Sequence, residues 1–120
     1  MRTLAERRLA RLLEEFTRRQ RESPTLVVRP WWWPGAERSD AGRGSGGAFG
    51  FVVEYCPAGE ECAEIAVRVD RVRVEGPTGA REARLDLAAG WRLGSEDVGY
   101  PETLANHLLR LADRVLNEAA

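Results

Sequence analysis

An α+β domain, built as an N-terminal helix, an antiparallel meander sheet of four or five strands and a C-terminal helix, is the fold this sequence predicts. Three observations carry it. Apolar residues recur at helical spacing near both ends, the residues between them alternate with a period of two, and turn signals separate the alternating runs. With 120 residues and 43% hydrophobic content the chain forms one domain, 1–120, able to bury a core without a disulfide or a metal.

Residues 3 to 20 place Ala5, Leu9, Leu12, Leu13, Phe16 and Gln20 on one side of a helix whose other positions are mostly Arg and Glu. Ser23-Pro24 ends it, because proline excludes the helical conformation from the residue before it. Thr25 to Arg29 is β-branched and apolar, a short strand that runs into Pro30-Trp31-Trp32-Trp33-Pro34. The segment 35–47, rich in Gly, Ser and Ala, reads as a mobile loop.

Ala48 to Cys56 and Cys62 to Glu75 read as a β-hairpin, with Phe49, Phe51, Val53 and Tyr55 answered by Ala63, Ile65, Val67 and Val69. The apolar phase then slips to Val72 and Val74, which marks a β-bulge or a break at Asp70-Arg71. After a turn at Gly76 to Gly79, residues 82 to 89 alternate again, and Trp91 and Leu93 are candidates to extend that strand. Pro101 opens the last helix, Glu102 meets its positive end, and Leu104, Leu108, Leu111, Ala112, Val115 and Leu116 form its stripe. Both helices belong on one face of the sheet, which leaves the use of the other face as the functional question.

The three consecutive tryptophans are the strongest functional signal. In an extended segment neighbouring side chains point to opposite faces, so Trp31 and Trp33 share one side and Trp32 takes the other. One core does not easily bury all three, and a tryptophan outside a core commonly serves a partner. The expected function is a non-enzymatic protein-binding module: an adaptor, a chaperone-like partner or an assembly subunit. Trp31, Trp32, Trp33 and Arg29 would form an aromatic patch with an arginine-rich rim, centred on Trp32. The expected partner is another protein or a second copy, giving a homodimer or larger assembly. The alternatives are a phage or virion tail-assembly component and a small-ligand or metal-binding domain that uses the sheet face.

A formal charge of −1 gives no basic excess for nucleic acid. All 18 basic residues are arginine, which points to a GC-rich coding sequence, most simply bacterial or phage. No apolar run reaches the roughly 20 residues of a membrane span, and the N-terminus lacks a signal-peptide core, so the expected location is the cytoplasm or a virion. In a reducing cytosol Cys56 and Cys62 are expected as thiols. They become a candidate redox pair if they meet across the hairpin, a register that sets Glu54 opposite Glu64 and Val52 opposite Ala66.

No metal or cofactor is expected, because C-x-x-C spacing is absent and the single histidine, His107, sits on the distant helix. His107 has no carboxylate at helical spacing, and the acid pairs Glu60-Glu61 and Glu96-Asp97 lie in turns. No catalytic residue is assigned.

Overall fold

The computed structural model describes residues 3–33 and 48–118; the loop expected at 35–47 lies outside them. The elements are α1 (Leu4–Glu22), β1 (Leu26–Trp33), β2 (Ala48–Tyr55), β3 (Ala63–Val67), β4 (Arg71–Glu75), β5 (Ala80–Asp86), β6 (Arg92–Leu93), β7 (Glu96–Asp97) and α2 (Pro101–Glu118). The strands form one antiparallel sheet in chain order. This is the α+β architecture read from the sequence, with seven strands among the described residues instead of four or five.

Three corrections account for the extra strands. Glu96 and Asp97, read as a turn pair, form β7, with Asp97 opposite Arg92 and Glu96 opposite Leu93. The phase slip near Asp70 is a reversal of direction: β3 ends at Val67, the Arg68 N–H donates to Arg71 O at 2.8 Å, and Val67 pairs with Val72. Trp91 and Leu93 do not extend β5 either. The chain turns back through Gly90, and Leu93 pairs with Leu85 in the short strand β6.

The helix ends follow their local chemistry. Thr3 and Glu6 form a reciprocal capping box at the start of α1, with the Glu6 N–H donating to Thr3 Oγ1 at 3.1 Å. Pro101 occupies the first position of α2, where its missing N–H costs nothing. Leu9, Leu12 and Phe16 of α1 and Leu104, Leu108 and Ala112 of α2 are fully buried against Phe51, Val53, Ile65, Val67, Val72, Val74 and Leu85. Each such large side chain contributes roughly 1.5–3 kcal/mol by leaving water. Both helices lie on one face, α1 over β1 and β2, α2 over β3 and β4.

Polar ties fix the layers. Tyr55 Oη donates to Asp113 Oδ1 of α2 at 2.9 Å, and Arg8 Nη1 donates to Leu87 O at 2.6 Å. Glu15 is buried on α1 and accepts from Arg18 and Arg19, each at 2.6 Å. Arg19 in turn reaches α2 through Asn106 Oδ1 at 2.8 Å.

Strand β1 forms one edge of the sheet, and its hydrogen-bonding phase is fixed at its start. The Cys56 N–H donates to Thr25 O at 2.9 Å, so Val27, Arg29 and Trp31 in turn aim their backbone groups at β2. Val28 and Pro30 aim outward. The Val28 N–H is taken by Gln20 Oε1 of α1 at 2.6 Å, and Pro30 has no N–H to offer. A proline is therefore tolerated in the middle of an eight-residue strand because it falls on the outward phase of an edge.

Candidate functional site: the open face of the sheet

The face of β1–β5 turned away from the helices carries every second residue of those strands. Its apolar content is concentrated beside the β1 edge, where Val27 and Trp31 are each 45% exposed. Next to them Val52 is only 6% exposed although no helix covers it. Arg29 of β1 explains this, because its guanidinium reaches across β2 to Glu64 of β3 at 3.5 Å and lays its stem over Val52. Trp31, Val52 and Ala66 line a shallow depression of about 350 Å3, rimmed by Arg29, Glu64, Arg73 and Glu75.

The charges on this face are ordered. Glu54, Glu64 and Glu75 stand side by side on β2, β3 and β4, forming an acidic row. At the other end of the strands Arg71 pairs directly with Arg84, forming a basic end. Arg73 sits between them, bonded to its cross-strand partner Glu82 at 3.2 Å. Four arginines (29, 71, 73 and 84) thus share the face with five acids (Glu54, Glu64, Glu75, Glu82 and Asp86), and the face is nearly balanced in sum but polar along the strand direction. Exposed ion pairs of this kind add little stability and leave their charges available to a partner.

Of the residues singled out in the sequence, Trp31 and Arg29 therefore meet on the open face. Trp32 pairs with Phe49 in the register shared by Leu26 and Val28, and Trp33 pairs with Ala48. The side chains of Trp32 and Trp33 lie outside the described residues. The aromatic that the described face presents is Trp31. The fourth tryptophan, Trp91, is buried, with the Arg11 guanidinium 6.0 Å from its ring centre.

Cys56 and Cys62 require a correction. They are joined as a disulfide, with their Cα atoms 4.2 Å apart, and not held as separate thiols. The reason is positional. Cys56 turns its backbone bonds toward β1, so Cys56–Cys62 is a non-hydrogen-bonded pair of the β2–β3 ladder, the kind with the closer Cα spacing of about 4.5 Å. The flanking register is as the sequence implied, Glu54 opposite Glu64 and Val52 opposite Ala66. His107 is half-buried on α2, away from the open face. Among the described residues no helix is long and apolar enough to cross a membrane.

No family model, curated protein or solved structure matches this chain. The class that fold and face define is a helix–meander–helix α+β domain in which, among the described residues, one sheet face carries no helix.

Proposed function

We propose that the chain is a non-enzymatic protein-binding domain that works through the open face of its sheet, and that this face first meets a second copy of itself. The observation that carries the reading is the exposed strip of Val27 and Trp31 beside the depression over Val52, set in a face of ordered charge. An exposed tryptophan in an apolar strip flanked by charged residues is suited to a protein contact.

The charge order on β4 offers an identical partner one complementary exchange. Two copies related by a twofold axis that runs across the strands set Glu75 of each copy over Arg71 of its partner. Arg73, midway between them, meets its own copy and keeps Glu82 of its own chain as countercharge. The two Val52 positions meet near the axis. A face of mixed sign with no basic excess suits such an isologous contact and offers no attraction to a polyanion.

Sedimentation velocity across a concentration series tests this. A dimer is expected, weakened by Trp31→Ala, by Arg71→Glu and by raised salt. Adding Glu75→Arg to Arg71→Glu should restore it, because the pair is exchanged across the axis. A chain that stays monomeric throughout, or a dimer indifferent to all three changes, overturns self-pairing. Capture of a different protein by Trp31 in that case would leave the face a binding surface for a foreign partner.

A further inference from the structure

We propose that the β2–β3 hairpin, when its disulfide is reduced, binds one zinc-class divalent cation through Cys56, Cys62, Glu54 and Glu64. The four residues form two mirrored arms. Glu54 and Cys56 are two apart on β2, Cys62 and Glu64 two apart on β3, and each residue stands opposite its like. Residues two apart share a face, so all four belong to the open side of the sheet. Ligand atoms from Glu54, Cys56 and Cys62 already lie within 4.8 Å of one another.

The electrostatics point the same way. Glu54 and Glu64 form a non-hydrogen-bonded pair, the closer of the two pairings, and Glu75 stands beside Glu64. Like charges set directly opposite are destabilising; Arg29 offsets this at Glu64, 3.5 Å away, and a metal between the carboxylates would take over that role. Two thiolates with two carboxylates make a four-coordinate set of the softness zinc accepts. Calcium and magnesium demand six or more oxygens, which this set does not supply. A solvent-open depression of about 420 Å3, lined by Glu54, Cys62, Glu64 and Glu75, gives the ion its route in.

The oxidised pair offers no thiolate, so the site and the disulfide exclude each other. Two equivalents of a low-molecular-weight thiol cleave the Cys56–Cys62 bond, giving two protein thiols and one small-molecule disulfide. The cation then binds both sulfurs and releases two protons. Reoxidation by a small-molecule disulfide runs the sequence backwards and expels the metal.

Cobalt(II) added to the thiol-reduced, desalted protein is the test. One equivalent should produce the visible bands of a tetrahedral ion and a sulfur-to-cobalt charge-transfer band, with two protons released. Neither signal should form in the disulfide-bonded protein or in Cys56→Ser/Cys62→Ser. Glu54→Gln/Glu64→Gln leaves the disulfide intact and should weaken binding by more than about tenfold. Circular dichroism confirms that each variant is folded. No cobalt spectrum from the reduced protein, or the same spectrum from the oxidised protein, overturns the proposal; so does full affinity in the glutamine variant.

Discussion

Two polar contacts at the helix layer, one buried at Glu15 and one half-buried at Tyr55, carry shifted titrations. The Tyr55 phenol is pushed up to about 12, first by its burial and then by its hydrogen bond to Asp113 and that residue's charge. Because the folded value lies above the ordinary 10, the contact stabilises fully below pH 10 and is lost as pH rises through 12. Tyr55→Phe should cost about 1 kcal/mol at neutral pH, read from the denaturation midpoint, and remove the late phenolate step from an ultraviolet titration. Glu15 is the opposite case. Burial raises its carboxyl, but hydrogen bonds from Arg18 and Arg19, with their charges, outweigh burial and hold it below the usual 4.5. Its contribution is present above that value and fades as pH falls through the lower folded one. Glu15→Gln should therefore destabilise at pH 7 (measured by chemical denaturation), with the gap to the parent protein narrowing in acid. Neither contact was legible in the sequence, since Glu15 is one of many acids in α1 and Asp113 gives no sign of facing a strand tyrosine.

At the scale of elements, the turns decide more than the strands. Gly76 sits where a Cβ would come within 2.8 Å of Val115 Cγ1 on α2, whereas a Cβ at Gly79 meets nothing within 4 Å. Gly76→Ala should cost about 1–3 kcal/mol and be partly rescued by Val115→Ala, while Gly79→Ala stays near neutral in a urea titration. This turn was legible from its glycines and proline. The reversal at Arg68 to Arg71 was not, because Val69 and Asp70 carry no glycine, proline or positive φ to announce it. A direction change and a bulge leave the same trace in a hydrophobic pattern, namely a slip in phase. The two helices were legible nearly end to end because each shows a continuous stripe with a cap or proline at its start. The tryptophan face was only half legible. Alternation separated Trp31 from Trp32, but Leu26, Val27 and Val28 are all apolar, so nothing in β1 itself says which side the helices cover. Pairing with β2, whose Phe51 and Val53 mark the core side, supplies the answer.

At the scale of the whole molecule, the described residues make a two-layer plate, helices on one side and a charged, tryptophan-bearing sheet on the other, and its β1 edge bears on edge-to-edge association. An incoming strand at the β1 edge would seek donors at the outward positions of Val28 and Pro30. It finds the first already bonded to Gln20 and the second without a hydrogen. Edge-to-edge zippering is thus opposed at the middle of the strand, and the proposed face-to-face pairing would close after one contact. The parent protein should resist fibril formation under agitation, followed by thioflavin fluorescence. Gln20→Ala/Pro30→Val should shorten the lag and expose the Val28 amide to faster hydrogen exchange. A single glutamine and a single proline would then act as gatekeepers, keeping a long, apolar strand from seeding a fibre.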